Sequence, residues 1–321
     1  MLEYFLFVIG IFLLIKGADY LVDGSCSLAK KLNVPTLVIG LTIVAFGTSM
    51  PELVVNIISA IKGSGEIAFG NIIGSNIANI LLILGITGVI KNLKVQHSTT
   101  WKEIPFSLLA SIVLLVFVNI FILDKIQINS LLRFEGIILL LFFLIFLYYV
   151  FILAKRNNGQ MDDDKLEIKH LSSTKITLFI LGGLVALYFG GKWTVEGAIS
   201  IAKLFGLSEY LIGLTVVAVG TSLPELFTSI IAVKKGDVDL AVGNVIGSNI
   251  FNIFWILGVT SIILPISLPL FANIDLIILL GVTILLFSFM FIGKKHELER
   301  WQGALFVLLY ITYICYLVIR S

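Results

Sequence analysis

The chain has 321 residues, of which 59% are hydrophobic and 13% charged, with a mean hydropathy of +1.09. A soluble domain carries about one quarter charged residues, so a water-facing globule is excluded and lipid is the solvent that fits. The net charge of +2 gives no electrostatic reason to expect a nucleic acid or an acidic partner.

The amino terminus, MLEYFLFVIGIFLL, lacks a basic stretch and carries Glu3, so it predicts a first membrane helix rather than a cleaved secretory signal. A span needs about 20 mostly apolar residues, and the runs near 3–22, 36–62, 67–90, 104–123 and 132–153 meet that need. A polar stretch from Lys155 to Lys175, including Asp162, Asp163 and Asp164, is too short for a folded domain and reads as a linker. Five further runs follow near 175–200, 209–233, 239–264, 272–292 and 301–319. The expectation is an all-α integral membrane protein of ten transmembrane helices. Residues 1–153 form a first five-helix repeat, 154–174 a cytoplasmic linker, and 175–321 a second five-helix repeat. Several runs exceed what a span needs, which predicts tilted or broken helices.

The division into halves rests on an internal repeat. GTSMPE at 47–52 returns as GTSLPE at 220–225, and GNIIGSNIAN at 70–79 as GNVIGSNIFN at 243–252, both displaced by 173 residues. Over 38–90 against 211–263, 31 of 53 positions are identical without a gap, so each half is one structural unit. A weaker echo, RFEG at 133–136 and RWQG at 300–303, opens the fifth and tenth helices. Five helices per half is an odd number, so the second half enters the membrane inverted. With the amino terminus outside, inner loops hold 15 of the 22 basic residues and outer segments five. That bias predicts both termini outside and the linker inside.

Glu52 and Glu225 sit at matching points of the two repeats inside apolar stretches. An ionised carboxylate in hydrocarbon costs a few kcal/mol. A lone glutamate could be a structural, protonated group; two at related positions among small polar residues predict a shared cation site. Pro51 and Pro224 have no N–H, so the Gly47 and Gly220 carbonyls lose their usual partners, and a cation is one group that satisfies freed carbonyls in a membrane. A plain proline kink explains Pro and Gly but not the Thr, Ser and Glu around them. Ala45, Thr48 or Ser49, and Glu52 share one helix face, as do Ala218, Thr221 or Ser222, and Glu225. Asn71, Ser75 and Asn79, and likewise Asn244, Ser248 and Asn252, stack at a spacing of four. Gly70 and Gly74, with Gly243 and Gly247, supply GxxxG packing at the same place.

An all-oxygen ligand set suits hard cations such as Ca²⁺ and Na⁺ rather than zinc or copper. Ca²⁺ takes 6–8 oxygens at about 2.3–2.6 Å in adaptable geometry. Mutual repulsion in an ion-free carboxylate pair makes H⁺ a competitor. Cys26 and Cys315 belong to no metal motif and read as inert buried thiols. His97, His170 and His296 lie in polar loops and read as solvated. No Ser/His/Asp, metal-histidine or phosphate-loop arrangement is present, so no enzyme is expected, nor any cofactor or obligate protein partner.

The paired GTSxPE and GNxxGSNxxN motifs resemble the sodium/calcium exchanger family of the calcium/cation antiporter superfamily, in its short prokaryotic form, over nearly the whole chain. The resemblance implies ten helices, with broken second, third, seventh and eighth helices in a central bundle past which long first and sixth helices slide. It implies that Glu52 and Glu225 bind Ca²⁺ and Na⁺, that Thr48 and Thr221 offer backbone oxygens, and that the Ala45 and Ala218 carbonyls serve sodium. Ser49, Ser222, Ser75 and Ser248 line the sites, and Asn79 and Asn252 complete the centre. Potassium-dependent members and some archaeal ones carry Asp where this chain has Asn252, so Asn252 argues against potassium dependence. The linker is too short for the regulatory calcium-binding domains of animal members. The expected activity is Na⁺/Ca²⁺ antiport by alternating access, with H⁺/Ca²⁺ antiport as the alternative and a passive cation channel below it.

Overall fold

A computed structural model describes residues 2–123, 130–156, 171–204, 218–269 and 272–320. Asp162, Asp163, Asp164 and His170 in the linker, and the predicted start of the seventh helix at 209–217, lie outside the described residues.

Helix α1 (Leu2–Leu32) continues well past the predicted 3–22. Asp19 and Asp23 interrupt the apolar run there, but both carboxylates meet the Lys235 ammonium, at 2.5 and 2.7 Å. The next span is two pieces, α2 (Thr36–Thr48) and α3 (Met50–Ile61), bent by 42°. Ser49 between them has φ −85° and ψ 8°. The helix opens there because Pro51 cannot donate to the preceding turn, whereas in the first turn of α3 its missing N–H costs nothing. Then come α4 (Gly65–Ile90), α5 (Ile104–Leu123) and α6 (Arg133–Arg156). The second half repeats the series with α7 (Ser173–Leu204), α8 (Ala218–Thr221) and α9 (Leu223–Lys234), α10 (Val238–Ile263), α11 (Ala272–Phe289) and α12 (Arg300–Arg320). The break between α8 and α9 falls at Ser222, with φ −89° and ψ 7°, matching Ser49. Among the described residues eight helices are long and apolar enough to cross a bilayer, and the bent α2–α3 pair makes a ninth.

The chain is thus a mostly helical, multi-pass membrane protein, with three corrections to the sequence reading. First, helices α4 and α10 are not broken. No proline interrupts either, and each instead takes up a π-helical stretch, at Asn79–Leu84 and Phe251–Leu257. Such bulges add a residue to the turn and cluster at functional sites. Second, the fold is not purely α. β1 (Leu93–Lys94) pairs antiparallel with β4 (Glu297–Leu298), and β2 (Ser130–Leu131) with β3 (Ile266–Ser267). Third, two side chains read as solvated or buried are otherwise placed. His296 is half-buried, its ring 5.1 Å from that of His97 and its Nδ1 2.9 Å from the Thr100 hydroxyl. Cys315 is exposed, while Cys26 is buried and donates to Asp237.

Both ladders join opposite halves, and the helices beside them do the same. Helix α6 lies along α10, where Phe142 stacks on Phe254 at 5.4 Å and Phe143 meets Phe251 edge-on at 4.8 Å. Helix α12 lies along α4 so closely that a methyl group at Gly303 would stand 2.8 Å from the Gly85 carbonyl oxygen. The longest seam is α1 against α7. There a methyl at Gly17 would be 2.9 Å from the Gly183 carbonyl, and one at Gly190 would be 2.9 Å from that of Gly10. Rising numbers in α1 meet falling numbers in α7, so the two helices run antiparallel.

Burial singles out the centre. The apolar windows of α4 and α10 are 78% buried, against 28–39% in the other single spans. Their mean hydropathies, 1.9 and 1.6, fall within the 1.5–3.1 range of the other single spans, so the outer helices spend their apolar surface on lipid and α4 and α10 spend theirs on protein.

Candidate cation-binding site

Glu52 lies in the first turn of α3 and Glu225 in the first turn of α9. Free backbone N–H groups and the positive end of the helix dipole face a carboxylate at that position. Both side chains are 1% exposed. The Ser49 hydroxyl, at the break ahead of α3, donates to Glu225 Oε1 at 2.9 Å. One half thus reaches the other's carboxylate.

The second motif closes around this pair. The Thr48 hydroxyl lies 3.1 Å from Asn244 Oδ1, and its repeat-mate Thr221 lies 3.3 Å from Asn71 Oδ1. Asn71 and Asn244 therefore serve the threonines rather than open toward the carboxylates. Their nitrogens are also engaged, Asn71 with Asn56 at 2.8 Å and Asn244 with Ser229 at 3.1 Å. Ser75, Ser248, Asn79 and Asn252 are each buried to within 1%. Asn79 Nδ2 donates to Asn249 Oδ1 at 2.9 Å, and Asn252 Nδ2 to Asn76 Oδ1 at 2.9 Å.

Buried oxygens without a hydrogen-bond partner occur in several places, Ser25 Oγ, Glu103 Oε2 and Thr260 Oγ1 among them, but the motif residues hold a set of them related by the repeat. They include Glu52 Oε2 and Glu225 Oε2, Ser75 Oγ and Ser248 Oγ, Asn79 Oδ1 and Asn252 Oδ1, and Ser222 Oγ, the Ser222 and Ser248 hydroxyls standing beside the Glu52 and Glu225 carboxylates. The first six are three pairs related by the repeat. Leaving one buried polar group unmade costs about 1–3 kcal/mol, so matched pairs of them call for a partner other than protein. Every atom is a hard oxygen donor, and among the described residues no group of three His, Cys, Asp or Glu forms a softer or more charged centre. Backbone oxygens add to the set. Thr48 and Thr221 end α2 and α8, where carbonyls lack in-helix donors. The Ala45 carbonyl accepts from the Ser49 N–H at 3.1 Å and, more weakly, from the Thr48 hydroxyl at 3.5 Å. Ala218 opens α8, and its side chain lies outside those described.

The two sides of the site differ. Thr48 and Asn244 are fully buried, whereas their mates Thr221 and Asn71 are only partly so. Gly243 and Gly247 are buried against Leu37, Leu41 and Ala45, while Gly70 is exposed and Gly74 partly so. The face-by-face reading of the motifs passed over Asn76 and Asn249. The signal was there: GSN recurs unchanged in both repeats, but its asparagine is off the face that carries Asn71, Ser75 and Asn79.

Fold and site together define a polytopic membrane transporter with acidic, oxygen-lined groups at the crossing of its central helices. The sodium/calcium exchanger protein family model matches residues 2–152 and 175–319, and the chain belongs to that family of membrane antiporters. The putative antiporter CaxA of Alkalimonas amylolytica is 39% identical over 312 residues, covering 95% of each chain. The sodium/calcium exchanger MaX1 of Methanosarcina acetivorans is 31% identical over 347 residues and 97% of each chain. The sodium-calcium exchanger NCX_Mj, solved after soaking with 100 mM Na⁺ and 10 mM Sr²⁺, aligns with a TM-score of 0.82 at 34% identity, over 98% of each chain.

Proposed function

We propose that this protein exchanges Na⁺ for Ca²⁺ across the cell membrane by alternating access, through ten spanning helices arranged as two inverted five-helix repeats. Both termini are outside and the 155–175 linker is cytoplasmic. The observation that carries the proposal is the set of repeat-related buried oxygens without protein partners around Glu52 and Glu225. In this reading the ions are held by Glu52, Glu225, Thr48, Thr221, Ser49, Ser222, Ser75, Ser248, Asn79 and Asn252, with the Ala45 and Ala218 carbonyls serving sodium.

The site carries a charge of −2 when both glutamates are ionised. One Ca²⁺ neutralises it, and so do two or more Na⁺ entering together. Ions that need the same carboxylates exclude one another, which is what exchange requires. The antiparallel course of α1 and α7 supports inversion of the halves. Sodium as the driving ion is supported by the names of MaX1 and NCX_Mj.

The test is Ca²⁺ uptake into Na⁺-loaded proteoliposomes at clamped pH. A sodium gradient should drive uptake, and trans Ca²⁺ should accelerate isotope exchange. Uptake driven by a pH gradient and indifferent to sodium would establish proton coupling instead. Glu52→Gln and Glu225→Gln should each abolish uptake while the protein still inserts and purifies normally. Near-normal uptake in both would remove the site.

A further inference from the structure

The oxygens of Asn79 and Asn252 are useful to a cation only if the amides are the right way round, since an amide nitrogen turned inward would present donors to a positive ion. The structure contains a device that fixes this. Asn76 and Asn249, 0% and 2% exposed, cross between α4 and α10. Asn76 Nδ2 donates to the Asn249 carbonyl at 3.2 Å, and Asn249 Nδ2 to the Asn76 carbonyl at 3.4 Å. A carbonyl only accepts, so the nitrogen of each amide must point at it, and the orientation of both side chains follows. That leaves Asn76 Oδ1 to accept from Asn252 and Asn249 Oδ1 to accept from Asn79, each at 2.9 Å. The nitrogens of Asn79 and Asn252 are thereby tied off, and their oxygens are the ends left without partners.

We infer that Asn76 and Asn249 are positioning residues for the centre of the site, each acting across the repeat seam on the other half's ligand. Asn76 holds Asn252 oxygen-first, and Asn249 holds Asn79. Neither touches the ion. The inference rests on the ion-site reading above. The arrangement also makes the two halves mutually dependent, because a ligand of one repeat is oriented by a side chain of the other.

The crossed wiring gives the test its form. The half-saturating Ca²⁺ concentration and the maximal rate of Na⁺-driven uptake are measured in proteoliposomes for Asn76→Ala, Asn76→Asp, Asn79→Ala, Asn252→Ala and the doubles Asn76→Ala/Asn252→Ala and Asn76→Ala/Asn79→Ala. Losing a partner that orients a metal ligand typically weakens binding about 10–100-fold. Asn76→Ala should therefore raise half-saturation by about tenfold with a maximal rate within about threefold of the parent. Asn76→Asp keeps the acceptor for Asn252 but sets an oxygen against the Asn249 carbonyl, so it should recover only part of that loss. In double-mutant cycles Asn76→Ala should add nothing to Asn252→Ala but multiply with Asn79→Ala. Multiplication with both, or unchanged half-saturation in Asn76→Ala, would each overturn the assignment. If Asn76→Ala is not recovered as inserted protein, Asn249→Ala carries the mirror test. Recovery of neither would assign the four amides to packing alone and end the inference. Glu52→Gln and Glu225→Gln in the same assay separate the two layers. Their retention of uptake removes the site itself, whereas their loss of uptake beside a failed cycle removes only the positioning role.

Discussion

At residue scale, the chemistry of this protein is decided by which buried oxygens have protein partners and which do not. Asn252 is the informative position, because it is one atom away from a third carboxylate. Its nitrogen donates to Asn76 Oδ1. Aspartate there would set oxygen against oxygen unless the Asn76 amide turned over, and turning it over would take its nitrogen from the Asn249 carbonyl. Asn252→Asp is thus expected to add charge to the site and to disturb the amides around it. A lower half-saturating Ca²⁺ concentration or an altered Na⁺ to Ca²⁺ coupling ratio should follow, read from uptake titrations and the reversal potential. An unchanged titration would take residue 252 out of the site.

At the scale of elements, the breaks and the close seams do different work. The α2–α3 and α8–α9 breaks put a glutamate at the start of a half-helix in mid-protein, where N–H groups face it. The α1–α7 seam lets two long helices lie backbone to backbone along most of their length. A leucine at Gly17 would drive into the Gly183 carbonyl and hold the helices apart. Overpacking of this kind costs about 1–3 kcal/mol. Gly17→Leu should lower the melting temperature in detergent and cut exchange sharply. Gly182, next to Gly183 in sequence but exposed with no neighbour within 4 Å, is the control. Gly182→Ala should be neutral in both measurements, because no neighbour stands in its way and alanine favours the helix, and equal damage from the two substitutions would mean that close packing at the seam is not the cause.

At the scale of the molecule, the two halves are repeats in sequence but not separate bodies. Helix α6 packs on α10, α12 packs on α4, and each short ladder takes one strand from each half. Lys235, in the turn after α9, holds Asp19 and Asp23 of α1. Separate expression of residues 1–156 and 171–321 is therefore expected to give two fragments that are degraded or aggregate alone but co-purify and recover exchange when made together. A stable, monodisperse half on its own would contradict the interlocked packing.

Much of this was legible in the primary structure. Nearly every helix falls within a few residues of its predicted run, because apolar length is what a bilayer selects. The 173-residue displacement picks out Glu52, Glu225 and their flanking Ser, Thr and Asn, because a duplicated chain carries its chemistry twice. The C-terminal part of α1 escaped, since its aspartates are neutralised by a lysine more than two hundred positions away. The roles of Asn76 and Asn249 escaped for the same reason: their partners lie across the seam. Helical period and hydropathy are local properties and can be read along the chain. The orientation of an amide, the burial of α4 and α10 over their neighbours, and the unequal exposure of the two sides of the site depend on distant surfaces meeting, and those only the tertiary structure decided.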